Sequence, residues 1–141
     1  MPLVRISLMK GKPASYRRKV GDAIHQALVE TIHVPPKDRF QLITEHDPEY
    51  LVFDREYLGI ARTRDLVIVQ ATISAGRSLA LKRALYRAIV RRLQAAVGLR
   101  PEDAWINLVE VAKENWSFGN GVAQYVPPQS DPEQAEEALP A

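Results

Sequence analysis

The chain has 141 residues, a formal net charge of +2 and no cysteine. That length suits one domain with a real but modest core, and the missing thiols exclude a disulfide framework and cysteine chemistry. No signal-peptide pattern and no apolar run of membrane-spanning length occurs, so a cytoplasmic protein without a membrane partner is expected.

The first element in chain order is the strand-like run Leu3-Val4-Arg5-Ile6-Ser7-Leu8, preceded by Pro2. A proline does no harm at the start of a strand. Removal of the initiator methionine, usual when the next residue is small, would turn Pro2 into a secondary amine at the chain end. Such an amine titrates near neutrality in suitable surroundings and serves as acid, base or nucleophile. Next, Val20, Ala23, Ile24, Ala27, Leu28 and Ile32 recur at helical spacing, with Pro13 placed for a helix start. Gln41–Thr44 reads as a second strand, and 45–64 as an irregular connector with short strands at Tyr50–Phe53 and Tyr57–Ile60. Asp65–Ile73 is the clearest strand, with the continuous β-branched character of one buried on both faces. Leu81, Leu85, Ala88, Ile89, Leu93, Ala96 and Val97 predict a second helix, closed by Gly98. Trp105–Val111 reads as a fourth strand, and Trp116–Tyr125 as a hairpin around a glycine turn. Residues 127–141 carry four acids and no base, the composition of a disordered tail.

Most of these elements occur twice, at an offset of 65 residues. Gly11 matches Gly76, Lys12 matches Arg77, Ile24 matches Ile89, Leu28 matches Leu93 and Asp38 matches Asp103. Leu42 matches Leu108 with a slip of one residue. Each half reads as strand, helix, strand. The expected fold is α+β: tandem β-α-β repeats forming a four-stranded sheet with two helices on one face. The other sheet face would be apolar and bare, and would need a partner.

Several chemistries find little support. His25, His33 and His46 stand in no ligand spacing, so no metal is expected, and His25 falls on the polar side of its helix. No phosphate-cradling glycine motif occurs and no nucleotide or other cofactor is implied. Lys82, Arg83, Arg87, Arg91 and Arg92 crowd the second helix. Without interleaved aromatics they read as a solvated polar face rather than a nucleic-acid surface.

Several segments together carry a family resemblance: Met1-Pro2-Leu3, Val34-Pro-Pro-Lys-Asp-Arg-Phe-Gln41, Gly59-Ile60 with Arg62 and Arg64, Lys82-Arg-Ala-Leu-Tyr86, and Asn115-Trp-Ser-Phe-Gly-Asn-Gly121. The chain resembles the tautomerase superfamily, and within it the malonate semialdehyde decarboxylase branch, over residues 2–126. The resemblance implies a homotrimer whose sheets form a central barrel, and a small oxo-acid substrate. It implies that Pro2 is the catalytic group, that Asp38 works beside it and positions water, and that Arg77 holds a substrate carboxylate. Trp116 and Phe118 would line the pocket. Ala75 stands where that branch has a further carboxylate-binding arginine. By position alone, Asp38 reads as a loop residue before a strand, Arg77, Arg62 and Arg64 as surface residues, and Trp116 and Phe118 equally as core or interface aromatics.

The chemistry is coherent on its own terms. A guanidinium at a helix start grips a carboxylate in two-pronged fashion, aided by free backbone N–H groups. A neutral Pro2 amine would then move a proton between carbon and oxygen, giving keto–enol tautomerisation of an acid such as phenylpyruvate. A cationic one would polarise a carbonyl for decarboxylation or hydration of a three-carbon oxo acid. Arg77 lowers the pKa of a nearby amine and Asp38 raises it, so the two reactions are set by their balance. The remaining class is a non-catalytic trimeric binding protein, for which retention of Met1 would argue.

Overall fold

The computed structural model describes residues 1–128, so the expected acidic tail lies outside the described residues from position 129 onward. The elements are β1 (Leu3–Met9), α1 (Ala14–Ile32), β2 (Gln41–His46), β3 (Val67–Ser74), α2 (Leu79–Val97) and β4 (Ala104–Val111). The sheet order is β2-β1-β3-β4. Each β-α-β half contributes a parallel pair, and the halves meet through antiparallel β1 and β3. None of the described helices is long and apolar enough to cross a membrane.

The duplication is kept residue by residue. Ala14–Ile32 and Leu79–Val97 are related by the same offset of 65, and the turns before them hold Gly11 at φ 118° and Gly76 at φ 117°. Both glycines adopt a backbone conformation that side-chain-bearing residues rarely reach. The strand registers agree as well: Ile6 lies opposite Ile43, and Ala71 opposite Leu108. The repeat mate of Leu108 is therefore Ile43, and the slip expected at Leu42 does not occur.

The core lies between the helices and one sheet face. Val4, Ile6, Leu8, Val67, Val69, Ala71 and Ile73 meet Val20, Ile24, Leu28, Leu85, Ile89 and Leu93 there, all buried. Leu81 and Ala96, expected in the apolar stripe of α2, are instead exposed. β3 is not buried on both faces. Its residues alternate, and Ile68, Gln70 and Thr72 on the open face are half-buried. That face is also more polar than expected. Arg5, Gln70 and Asn107 stand in one row across three strands, with Gln70 Nε2 donating to Asn107 Oδ1 at 3.0 Å. Leu42, Trp105 and Val109 supply its exposed apolar part.

Three local expectations fail for identifiable reasons. The connector has no strands at 50–53 or 57–60. It turns instead through 3₁₀ segments at Pro48–Tyr50 and Tyr57–Gly59, and Arg62 Nη1 ties it by donating to the carbonyls of Tyr57, Ile60 and Asp54 at 3.0, 3.3 and 3.4 Å. Residues 116–125 form no hairpin ladder. Gln124 takes the place of a strand partner, accepting from Phe118 N and donating to Gly119 O, both at 2.9 Å. His25 is buried rather than exposed, because the chain after α1 folds back over it and Pro36 O meets Nε2 at 2.8 Å.

Candidate active site

Antiparallel pairing puts the start of β1 beside the end of β3, and β4, parallel to β3, ends at the same edge. The expected site residues converge there from four segments. Pro2 is buried at the entry to β1. Asp38 sits on the turn between α1 and β2, where its N–H donates to Pro35 O at 2.9 Å. Its carboxylate accepts from the α-ammonium of Met1, one residue from the Pro2 ring. That ammonium also donates to Tyr125 Oη at 3.2 Å. The first amine of the chain thus lies between a carboxylate and a phenol.

Arg77 stands one turn beyond β3, at the entry to α2, with Nη1 donating to Ser74 O at 2.8 Å. No carboxylate pairs with it among the described residues. Its repeat mate Lys12 has one: Nζ lies 2.9 Å from Asp65. The two aspartates also divide their roles. Asp103 is fully buried and accepts from Thr63 N and Oγ1 at 2.7 and 2.6 Å, tying down the approach to β3. Asp38 holds the approach to β1, where the chain's amine stands. Equivalent repeat positions have produced one carboxylate buried against Thr63 and one that faces the chain's first amine.

Trp116, Phe118 and Tyr125 form a connected aromatic wall. Trp116 and Phe118 stack at 5.5 Å, and Tyr125 meets Phe118 edge-on at 4.9 Å. Trp116 Nε1 donates to Ser74 Oγ at 3.1 Å. A cleft of about 460 Å³ opens beside Tyr125, lined by Met1, Ser74, Ala75, Gly76, Arg77, Lys113 and Tyr125. Trp116 and Phe118 do not line it; they stand behind Tyr125 and Ser74, which do. Burial pushes the Tyr125 phenol above its ordinary range, Asp38 adds to that, and Arg77 opposes it in part. The phenol therefore stays protonated, able to donate, throughout neutral pH.

Tyr125 and Ser74 are the functional candidates that sequence reasoning did not single out. Only their places, beside the Trp-Ser-Phe-Gly run and at the end of the strand before Arg77, signalled them. Arg62 is committed to its own loop, and Arg64 lines a cleft at the opposite end of the sheet with Lys10 and Lys12. Neither stands in for an arginine at Ala75.

Two family descriptions, both reading "Tautomerase enzyme", match the chain, one over residues 38–119 and the other over 2–60. The chain belongs to the tautomerase superfamily. Among its relatives is "Probable tautomerase YusQ" of Bacillus subtilis (strain 168), 38% identical over 89% of this chain and 99% of the relative. "Probable tautomerase YrdN" of the same organism is 35% identical, covering 89% and 97%. Similar solved structures include a malonate semialdehyde decarboxylase studied for its decarboxylase and hydratase activities. It has a TM-score of 0.82 and 31% identity, covering 87% of this chain and 95% of that one. A second malonate semialdehyde decarboxylase, inhibited by 3-bromopropiolate, gives a TM-score of 0.82 and 37% identity, covering 98% and 99%. This tautomerase-superfamily chain is accordingly an enzyme, with the α+β repeat fold of its relatives.

Proposed function

We propose that, once Met1 is removed, the secondary amine of Pro2 is the proton-transfer group for a small oxo acid, and that the reaction is keto–enol tautomerisation of a phenylpyruvate-like substrate. The observation that carries this reading is the setting of the chain's first amine, held by Asp38 and Tyr125 at the edge of a cleft whose far wall offers an arginine with no acid partner among the described residues. Excision of one residue moves the chain end to Pro2, beside the same carboxylate. Arg77 binds the substrate carboxylate through charge-assisted hydrogen bonds, supported by the N–H groups opening α2. The neutral amine takes a proton from the carbon next to the carbonyl, and that proton is returned to the oxygen. No cofactor enters this scheme.

Decarboxylation or hydration of a three-carbon oxo acid is the second reading, favoured by the two decarboxylases at 31% and 37% identity. Ala75, a methyl group in the cleft wall, leaves Arg77 as the arginine lining it, which suits a monocarboxylate with an apolar remainder against Tyr125. The assembly we propose is a homotrimer. The open sheet face, with Leu42, Trp105 and Val109 exposed, supports it. A fused 4-OT, itself described as a symmetric trimer, has this fold at a TM-score of 0.72 and 22% identity, covering 85% of this chain and 94% of that one.

The test joins intact mass with activity on one sample. With Met1 absent, phenylpyruvate tautomerisation is expected to fall about 10²- to 10⁴-fold in Pro2→Ala, the range of a lost general base. A Pro2→Ala rate equal to the parent's would remove Pro2 from the mechanism.

A further inference from the structure

We infer that His25 is a positioning residue for the candidate site: its ring N–H holds the Pro36 carbonyl and so sets the Asp38 carboxylate against the chain's first amine. This inference rests on the reading that Asp38 serves the Pro2 amine once Met1 is removed.

His25 is a costly residue to bury. It lies on α1 at 4% exposure, beside the buried Val20, Ile24, Ala27 and Leu28, where an aliphatic side chain would meet no penalty. A polar group in such a place needs a partner. Among the described residues its ring makes one hydrogen bond, between Nε2 and Pro36 O at 2.8 Å. A carbonyl oxygen only accepts, so Nε2 carries the proton. The ring of Pro36 fixes its own φ, so the acceptor is carried on a stiff piece of backbone.

This bond belongs to a set of ties that clamp the returning chain to α1. Gly21 lies one turn before His25, and its carbonyl accepts from Gln41 Nε2 at 2.9 Å. A Cβ at Gly21 would stand 2.7 Å from Gln41 Oε1, so the missing side chain is what allows that approach. Asp22 adds an ion pair with Arg39 at 2.8 Å. The chain is thus tied at Pro36, Arg39 and Gln41, and His25 supplies the tie that precedes Asp38. The Asp38 carboxylate joins none of these bonds and meets the amine instead.

The internal repeat shows what the arrangement is for. Val90 and Ile106, the repeat mates of His25 and Gln41, have no donor in their side chains. Asp103, the mate of Asp38, fixes its own segment by accepting from Thr63 N and Oγ1. A carboxylate that must stay available to an amine cannot anchor its own turn. In the first half, α1 does the anchoring for it.

A double-variant cycle in the processed protein tests this. His25→Leu removes the donor and keeps a side chain the core accepts, while His25→Gln keeps an N–H donor. In His25→Leu, kcat/KM for phenylpyruvate is expected to fall about 10-fold with the fold intact by thermal melting. The same change is expected to cost nothing further when Asp38→Asn is already present, and His25→Gln is expected to restore most of the rate. Equal falls with and without the Asp38 carboxylate overturn the inference. So does a parental rate in folded His25→Leu where Asp38→Asn is impaired. If His25→Leu does not fold, His25→Asn, whose shorter amide does not reach Pro36, takes its place in the cycle. The carboxyl ¹³C resonance of Asp38 reads its position without turnover. It is expected to move in the variant lacking the donor and to stay in His25→Gln; an unmoved resonance also overturns the inference. A Pro2→Ala rate equal to the parent's, with that resonance still moving, would sink the proline reading and leave His25 as the residue that positions Asp38.

Discussion

At the scale of single residues, the proposed site divides one carboxylate-binding group from one proton-handling group. Arg77→Ala is expected to raise KM about 10- to 100-fold, the worth of a charge-assisted hydrogen bond, with a smaller change in kcat. Steady-state kinetics over a wide substrate range separates the two. Asp38 meets the chain's first amine through its carboxylate. Asp38→Asn keeps the size of the side chain and removes its charge, so kcat/KM is expected to fall about 10-fold, the worth of a hydrogen bond to a charged group. A parental kcat/KM would mean that Asp38 serves only to hold the turn. Asp38 and Asp103 also show the limit of a repeat: equal positions, one carboxylate beside a chain end and the other bonded to Thr63.

At the scale of elements, the two helices are copies with different ends. α2 opens on Ser78, whose Oγ accepts from Leu81 N, whereas α1 opens on Pro13 with no side-chain cap. Ser78→Ala is expected to cost about 1 kcal/mol in chemical denaturation, since it leaves a helix N–H without its partner. Because that end also positions Arg77, the loss should appear in KM as well. The C-terminal ends differ too: Gly98 closes α2 at φ 68°, and His33 closes α1 in the same left-handed conformation at φ 58°. A residue with a Cβ pays for that conformation, so His33→Gly is expected to stabilise the protein by roughly 0.5–1 kcal/mol.

At the scale of the whole molecule, charge and the open sheet face decide how the fold meets its surroundings. The basic run on α2 is largely taken up by pairing. Lys82 bridges to Glu110, while Arg91 and Arg92 reach across to Glu30 on α1. Arg92 first, then Arg91, hold the Glu30 carboxyl below its ordinary range. A carboxylate lowered in the folded state stabilises the protein above its unfolded pKa of about 4.3, and that support is lost as pH falls through the lowered value. Glu30→Gln is therefore expected to flatten the fall of Tm below about pH 4.5, read by thermal melts across acid buffers. The polar row of Arg5, Gln70 and Asn107 stands on the face we assign to subunit contacts. Arg5→Glu is expected to shift the mass in light scattering from trimer toward monomer; an unchanged monomeric mass in the parent would overturn the trimer.

The repeat, the order of the six main elements and Gly98 as the cap of α2 were legible in the sequence, which also named Pro2, Asp38, Arg77, Trp116 and Phe118 as candidates; of these five, Arg77 lines the cleft itself. Periodicity, turn chemistry and duplication are local or registered along the chain, and the family motifs add to them. The connector's 3₁₀ turns, the side-chain closure by Gln124 and the burial of His25 were not legible, because each depends on a partner distant from the strand or helix pattern. The meeting of Met1, Asp38 and Tyr125, 37 and 124 residues apart, belongs to the same class. Sequence determined that each half carries an acid before its second strand and a cation after its first, which a parallel pair places at opposite ends. Only the tertiary structure decided which acid meets which cation: antiparallel β1 and β3 bring Asp38 of the first half to the same end of the sheet as Arg77 of the second, where the chain's first amine and the aromatic segment that follows β4 also lie.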